Sequence, residues 1–487
     1  MSMSRATLVR NFLTLVGAGI AIACAGRSSD SSPSDGGADA IGGDGGDSGT
    51  TPPVVTTATP DMGPANVAPD PDAGAPSAAV PDEVFYVLRG TTPRDGASAR
   101  RFLLGDSSPS LFGSGFRYNS VFKAHGPSAT SDGRVCELSS SGGADVAYNA
   151  YVRCFEKNAD GEYVASWENR GDADPSDGLA PESIVEGRLV LGESVIGDAA
   201  MEMFTDGVWA YFTRYRLGQV VAVNLADGMV SAYLPVNNRG CMGPTAIVEG
   251  GGLIYTFAEA ADGTGRACVI NPSLDEKVAP ELGEELALTG NHPKMAVDVG
   301  DNRMLIVASG PLNDLTAPVV RGVEKFNYEE TDETPASEGI LWDGVALCSG
   351  VEEGLEGCTS AIPLHISYSQ ALGMGAVTFM YPGAGLGDME YRVRLFTSEG
   401  EGGTRMFALG AVVFSQSRIQ STEPTSPGGI EGTAFMDGTH IFITHRRGAH
   451  TYNIETGELT EVAGIGADGF SPNGAPAVLP GGDEESL

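Results

Sequence analysis

FTDGVWAYFT at residues 204–213 and FMDGTHIFIT at residues 435–444 are two copies of one pattern, and this pattern decides the fold. Each copy places Asp-Gly between short runs in which apolar and polar side chains alternate, as they do in a β-hairpin. A second turn ending in Gly follows in both, in VNLADGMV at 223–230 and in YNIETGEL at 452–459. The pattern therefore predicts strand, turn, strand, turn, strand at both places.

Weaker copies of the same pattern fill the interval between the two segments and the stretch before them. Gly207 and Gly438 are 231 residues apart, and the intervening copies recur about every 58 residues, a period typical of repeat architectures. The five weaker copies begin near Asp82, Asp132, Gly251, Asp301 and Gly375. The chain from residue 82 onward therefore contains seven units.

Seven strand-rich units of this size resemble a β-propeller, in particular the bacterial propellers of the quinoprotein-like and YncE-like type, whose blades often read VxVxDxxTGxxxxxI. The resemblance spans residues 82–480 and implies an all-β, seven-bladed β-propeller, followed by a short tail at 481–487. In a propeller the chain ends meet in one blade. The segments near Ala475–Pro480 and Val84–Val87 are the candidates for the closing strand.

Composition supports this fold and excludes some functions. The 487 residues include 68 Gly and 29 Pro, a density that suits frequent tight turns and not long helices. The formal net charge is −35. Such a chain is not a general nucleic-acid binder, and an anionic membrane surface would repel it.

The N-terminus has the layout of an export signal. Arg5 and Arg10 precede an apolar run that ends at Ala21-Ile22-Ala23-Cys24 and is too short to span a membrane comfortably. Small residues before a Cys resemble the bacterial lipoprotein signal, in which that Cys is lipidated, although Ala21 stands where most such signals have Leu. An ordinary signal peptide cleaved near Ala23 is the alternative. For a lipoprotein, Ala25 in place of Asp favours the outer membrane, so we expect a signal peptide at 1–23 and a palmitate-type lipid anchor on Cys24.

Residues 25–81 predict a disordered tether that begins at the lipidated Cys24. The segment consists largely of Ser, Gly, Asp, Pro, Thr and Ala and shows no apolar periodicity, so it cannot bury enough surface to offset its ordering entropy. A flexible coil of this length has a mean reach of roughly 40 Å. Its Asp/Gly tract lacks the ligand spacing of a calcium loop.

The cysteines fit an oxidising compartment. Six remain after Cys24, and an even number beyond an export signal suggests disulfide bonds. Pairing of sequence neighbours is the simplest of the 15 connectivities that six cysteines allow. It would join Cys136 to Cys154, Cys241 to Cys268, and Cys348 to Cys358.

Three of the six His residues fall in one predicted hairpin, as His440, His445 and His450. The tight turn at Arg446–Gly448 would bring His445 and His450 together, whereas His440 has the opposite strand parity and would point to the other face. Two His residues alone are a weak metal site, since a third ligand is missing. The metal content and the cofactors therefore stay unknown.

Basic and aromatic residues recur in the loops between the second and third strands of three units. In propellers these loops lie on the face that usually carries the ligand, and guanidinium groups suit carboxylate, phosphate or catecholate oxygens. The ligand-binding candidates are Arg94, Arg214, Tyr215, Arg216, His445, Arg446 and Arg447. The alternative is that these Arg residues are ordinary exposed turn residues, because 24 of the 29 basic residues are Arg.

The sequence contains few motifs typical of enzymes. No GxSxG, HExxH, P-loop or dinucleotide fingerprint occurs in a fitting context. Quinoprotein dehydrogenases typically carry repeated Trp and often vicinal Cys, but this chain has three Trp and no adjacent Cys. No catalytic residue is therefore assigned.

These observations favour a cell-envelope binding module. Propeller lipoproteins that capture ferric siderophores beside an outer-membrane transporter are similar, and that similarity implies a small anionic ligand, a transporter partner and a membrane contact through the lipid anchor. One alternative is a protein–protein or adhesion scaffold. Another is an enzyme, either a quinoprotein-like dehydrogenase or a hydrolase.

Overall fold

The computed structural model describes residues 82–479 except 90–96, 105, 107–109, 112–124, 130–132, 144–145, 166–190, 196–199, 216, 227, 229, 276, 312–318, 329–334, 351–354, 385–386, 401–404, 419–428, 464–470 and 473–474. The predicted signal peptide, Cys24, the tether and the tail at 481–487 lie outside the described residues. No helix in the described ranges is long and apolar enough to cross a membrane.

Short strands make up nearly all of the regular structure. In chain order they are β1 (Glu83–Arg89), β2 (Ala97–Leu103), β3 (Ser110–Leu111), β4 (His125–Ala129), β5 (Val135–Gly143), β6 (Val146–Lys157), β7 (Tyr163–Ala165), β8 (Leu191–Val195), β9 (Ala200–Thr205), β10 (Trp209–Arg214), β11 (Gln219–Asn224), β12 (Val230–Leu234), β13 (Gly243–Gly250), β14 (Leu253–Glu259), β15 (Thr264–Asn271), β16 (Glu281–Asn291), β17 (Pro293–Gly300), β18 (Arg303–Ala308), β19 (Gly322–Asn327), β20 (Ala336–Asp343), β21 (Ile362–Ser369), β22 (Met374–Pro382), β23 (Met389–Glu399), β24 (Met406–Arg418), β25 (Ile430–Met436), β26 (His440–His445), β27 (Gly448–Asn453), β28 (Leu459–Glu461), β29 (Ser471–Pro472) and β30 (Ala477–Leu479). A 3₁₀ turn covers Val236–Arg239, and the short helix α1 covers Gly344–Leu347.

The strands of the described ranges form seven antiparallel sheets, so the predicted seven-bladed β-propeller is confirmed. Blade 1 combines β29 and β30 with β1–β3, blade 2 holds β4–β8, and blades 3 to 7 hold β9–β12, β13–β16, β17–β20, β21–β24 and β25–β28. The innermost strands contact one another in the closed sequence β30, β4, β9, β13, β17, β21, β25. We call the strands of each blade A to D from this inner ring outward.

The two chain ends close the ring by pairing with each other. In blade 1, strand A is β30 and strand B is β1, with Glu83, Val84 and Phe85 opposite Leu479, Val478 and Ala477. Both candidate closing segments therefore take part in the closure. The closing blade draws its inner strand from the C-terminus and its other strands from the N-terminal side.

The repeated Asp-Gly pairs form the turns between strands A and B. The Asp206 carboxylate accepts hydrogen bonds from the backbone N–H groups of Val208 and Trp209 at 2.8 and 2.6 Å. Gly207 and Gly438 have φ of 92° and 71°, a conformation that favours glycine. The sequence copies therefore begin at the A–B turn, one strand later than the blades themselves.

A bulge recurs near the start of the inner strands. The pairing register shifts between Pro244 and Ala246, between Pro293 and Met295, and between Pro363 and His365. Proline lacks a backbone N–H, so it is tolerated at the first residues of a strand and at bulges, where no ladder hydrogen bond is lost.

A buried threonine stabilises the bulge in blade 4. The hydroxyl of Thr256, which is fully buried, donates to the carbonyl oxygen of Ala246 at 3.0 Å. We expect Thr256→Val, which keeps the shape and removes the donor, to lower the free energy of unfolding by about 1 kcal/mol. Urea unfolding checks this value, and an unchanged midpoint would contradict the assigned role.

All three predicted disulfides are confirmed. Cys136 and Cys154 are cross-strand partners on β5 and β6. Cys241 joins the connection before β13 to Cys268 on β15, and Cys348 joins Cys358 in the connection after α1. Disulfides are typical of extracellular and periplasmic proteins, so the chain fits an oxidising compartment.

Candidate functional site

The predicted ligand-binding loops lie on one face of the propeller. Because strands alternate in direction, the B–C turns and the D–A connections between blades share one face, which we call the BC/DA face. The A–B turns and C–D turns lie on the opposite AB/CD face. The turn at 215–218 in blade 3 and the turn at 446–447 in blade 7 both join strands B and C.

The structure describes five of the seven predicted rim residues. Arg94 and Arg216 lie outside the described residues. Arg214 ends β10 and is buried, with 6% exposure, and its Nη1 donates to the Gln219 side chain at 3.3 Å. The remaining candidates separate into two clusters, one around Arg446 and one around Tyr215.

Arg446 is exposed and held in a fixed direction. Its Nε donates to Oε1 of Glu431 at 2.5 Å, its backbone N–H donates to the Gly429 carbonyl at 3.0 Å, and its side chain is 46% exposed. The two terminal guanidinium nitrogens have no hydrogen-bond partner among the described residues. Arg446 therefore presents two aligned donors to solvent.

Tyr391 and Arg418 extend this arginine cluster, which we define as Tyr391, Arg418, Glu431, Arg446 and Arg447. Burial raises the pKa of the Tyr391 hydroxyl, and the nearby charges of Arg418 and Arg446 oppose that shift. The Nε atom of Arg418 is buried and has no hydrogen-bond partner in the described ranges. The cluster thus carries three guanidinium groups and one carboxylate.

His445 and His450 lie beneath the arginine turn and contact each other as predicted, with Nε2 of His445 3.0 Å from Nδ1 of His450. His445 Nδ1 accepts hydrogen bonds from Gln416 Nε2 at 3.0 Å and from the Arg447 backbone N–H at 3.3 Å. Those donors place the His445 proton on Nε2, which then donates to His450. Phe414 packs against both rings at 5.1 Å between centroids.

The two imidazoles stay neutral near pH 7. Burial, and then the neighbouring His450 and Arg447, lower the pKa of His445 to about 4. Burial also lowers the pKa of His450, against the opposing charge of Glu461. No group of three or more His, Cys, Asp or Glu in the described ranges could hold a metal ion. His440 lies at the other end of the hairpin, where its Nδ1 contacts Asp437 at 3.1 Å.

The second cluster surrounds Tyr215 and includes residues that sequence reasoning missed. His292, in the connection between blades 4 and 5, is hydrogen-bonded to Glu259 at the end of β14, with Nδ1 2.5 Å from Oε2. Burial raises the pKa of Glu259, and the neighbouring His292 opposes that shift. Glu259 and His292 are 33 positions apart in the sequence, so no local motif could have identified the pair.

His365 on β21 is a further residue without a sequence signal. It is 5% exposed, and neither ring nitrogen has a hydrogen-bond partner among the described residues. Burial and the nearby charge of Lys294 lower the pKa of His365 to about 3, which keeps the ring neutral. It lies in the inner ring beside Gly432 and contributes no donor to either cluster.

A cavity of about 450 Å³ opens on the AB/CD face. Its walls come from the A–B turns of blades 2 and 3 and from the C–D connections of blades 3 and 4. The lining residues are Arg134, Gly207, Val208, Asn224, Ala226, Leu274 and Asp275. Leu274 is 92% exposed at its edge.

Comparison with known proteins yields distant structural likenesses. No protein-family model matches the chain, and no curated protein is significantly similar in sequence. A candidate 6-phosphogluconolactonase of Bacteroides uniformis has a TM-score of 0.46 and 16% identity, covering 82% of this chain and 99% of its own. Apo AztD of Citrobacter koseri has a TM-score of 0.40 and 10% identity, covering 83% and 99%. Hydrazine synthase of Kuenenia stuttgartiensis has a TM-score of 0.40 and 12% identity, covering 70% and 81%. Structural similarities with such low TM-scores and identities support no inference about a ligand or an activity.

Proposed function

We propose that this protein is an exported binding module that captures a small anionic ligand at the arginine cluster on its BC/DA face. The observation that carries the proposal is the guanidinium of Arg446. Glu431 fixes it through Nε, and its two terminal nitrogens face solvent without a partner in the described ranges. This arrangement suits bidentate recognition of a carboxylate, phosphate or catecholate.

The surroundings of Arg446 support an anionic ligand. Arg418 and Arg447 add positive charge within a chain whose net charge is −35. The buried Nε of Arg418 is a donor that a ligand oxygen would satisfy. The neutral His445 and His450 pair anchors the turn without adding charge of its own.

The places where the chain enters and leaves the propeller suit a tethered protein. β1 begins and β30 ends on the AB/CD face, because Glu83 lies opposite Leu479 in the closing blade. The chain therefore enters and leaves the propeller on the face opposite the arginine cluster. We further propose that Cys24 is lipidated and that the lipid attaches the protein to the outer membrane. There the protein would deliver its ligand, such as a ferric siderophore, to a transporter.

Substitution of Arg446 tests the site. We expect Arg446→Ala to weaken binding of a ferric tris-catecholate or of citrate by about tenfold, because a charge-assisted bidentate contact is lost. Arg239→Ala is the matched control, since Arg239 is exposed in another connection on the same face. Isothermal titration on the full chain gives both affinities.

Equal affinities of the Arg446→Ala variant and the unaltered protein would exclude the cluster as the binding site. Native mass spectrometry of protein purified from its own host complements the titration, because a co-purified anion identifies the ligand class. If no anion co-purifies and none binds, the scaffold alternative replaces the proposal.

A further inference from the structure

Tyr215, Gly243, Glu259 and His292 form a second cluster on the BC/DA face, which we call the tyrosine–histidine cluster. It draws on the B–C turn of blade 3, the A and B strands of blade 4 and the connection into blade 5. It shares no residue with the arginine cluster.

The ring of Tyr215 has a fixed place because residue 243 is glycine. A Cβ atom at Gly243 would lie 2.6 Å from Cε2 of Tyr215, so any larger residue would displace the ring. The turn that carries Tyr215 is tied to the neighbouring connection, where Asn237 donates to the carbonyl oxygens of Leu217 at 3.2 Å and Gly218 at 2.9 Å.

The ring of Tyr215 and the side chain of Glu259 lie on the same side of blade 4. Gly243 and Glu259 are directly opposite each other in the β13–β14 register. Directly opposed residues of antiparallel strands project to the same face of the sheet. Because the ring occupies the space that a side chain at Gly243 would fill, it lies beside Glu259.

His292 presents a hydrogen-bond acceptor at this place. Its Nδ1 is bound to Oε2 of Glu259 at 2.5 Å, so in the neutral ring Nδ1 carries the proton and Nε2 carries the lone pair. The side chain is 29% exposed. An incoming hydroxyl group can therefore donate to Nε2.

The backbone of His292 is held in a conformation that its sequence disfavours. Its φ is 49°, and it precedes Pro293, which favours extended backbone in the preceding residue. Asn291 secures the segment, because its Nδ2 donates to the Gly263 carbonyl at 2.6 Å and its Oδ1 accepts from Val320 N at 2.8 Å. The structure thus fixes the direction of the imidazole before any ligand binds, which reduces the ordering cost of binding.

The exposed surface around His292 suits an uncharged aromatic ring. Tyr215 is 39% exposed. Aromatic faces pack favourably on aromatic rings. The Glu259 carboxylate and the net charge of −35 disfavour an anion here.

We propose that the tyrosine–histidine cluster binds a neutral phenol, with its ring against Tyr215 and its hydroxyl donated to Nε2 of His292. The site is independent of the arginine cluster, and the two differ in the charge of the ligand that they select. A saccharide ring also offers hydroxyl donors, and it is the competing outcome in the test.

Titration of the full chain with para-cresol and with para-methylanisole tests the hydroxyl contact. We expect para-cresol to bind about tenfold more tightly, because the methyl ether has the same ring and no donor. His292→Asn should remove most of this preference and keep the backbone, since Asn tolerates positive φ. Tyr215→Ala should weaken binding of both compounds.

Tyr233→Ala is the matched control, because Tyr233 is 46% exposed on β12 of blade 3. It should leave both affinities unchanged. Equal affinity for the phenol and its ether, no saturable binding of para-cresol, or binding of methyl glucoside in preference to para-cresol would each overturn the proposal. None of these results bears on the anion titrations of Arg446→Ala.

Discussion

A chain that ends at Pro472 is expected to lose cooperative folding, because it lacks the closing strand β30. Val478 packs on the cluster that includes Tyr86 and Phe442, whereas Leu479 packs on the cluster that includes Phe85 and Val135. One short strand therefore joins blade 1 to blade 7 on one side and to blade 2 on the other. We expect a loss of several kcal/mol, a large share of the roughly 5–15 kcal/mol that stabilises a typical domain. Urea unfolding followed by tryptophan fluorescence measures it.

A chain that ends at Pro480 provides the control, because it keeps β30 and removes only residues 481–487. Its unfolding midpoint should match that of the full chain. If the chain ending at Pro472 unfolds at the same urea concentration as the full chain, the closure of blade 1 does not contribute to stability as argued.

The repeat predicted the architecture because each A–B turn depends on a local signal. Asp206-Gly207 and Asp437-Gly438 combine a side-chain acceptor with a residue that adopts positive φ, and both properties can be read from the sequence. The inner strands were harder to place. Their recurring feature is a proline at the start, as at Pro244, Pro293 and Pro363, but loops of unequal length separate these positions and hide the period.

The candidate sites were predictable only where their residues are close in sequence. The approach of His445 to His450 follows from strand parity across a tight turn, and the structure confirms it. The burial of Arg214 does not follow from its position at the end of a strand, because burial depends on tertiary packing that the local pattern does not contain. The pairing of Glu259 with His292 depends on the connection between two blades and leaves no pattern in the sequence.

Glu83→Gln is expected to lower the free energy of unfolding by about 3 kcal/mol, because it removes a buried charge on which three groups converge. Oε1 of Glu83 accepts from Arg101 Nη2 at 2.5 Å and from Lys157 Nζ at 2.7 Å, and Oε2 accepts from the Tyr163 hydroxyl at 2.5 Å. Arg101 belongs to blade 1, whereas Lys157 and Tyr163 belong to blade 2. Glu83 is 4% exposed, so solvent cannot replace the lost contacts.

Glu338→Gln is the matched control for this change. Glu338 also contacts two cations, Arg303 at 2.7 Å and Lys325 at 2.9 Å, but it is 32% exposed and all three residues belong to blade 5. Solvent screens such a pair, so we expect a loss of about 1 kcal/mol or less. If both variants lower the free energy of unfolding by the same amount, the contact between blades 1 and 2 stabilises the protein no more than an exposed ion pair does.

The contribution of Glu83 should also depend on pH in a defined direction. Burial alone would raise the pKa of Glu83, but the hydrogen bonds from Arg101, Lys157 and Tyr163 outweigh it and hold the pKa below its ordinary value of 4.5. The folded state therefore favours the charged carboxylate. Its stabilisation is fully present above the ordinary pKa and is lost as the pH falls through the lowered pKa of the folded state. The difference in unfolding free energy between Glu83→Gln and the unaltered protein should thus be constant between about pH 6 and 8 and shrink on acidification below about pH 4. A difference that does not change with acidification would mean that neutral contacts, and not the charge of Glu83, join the first two blades.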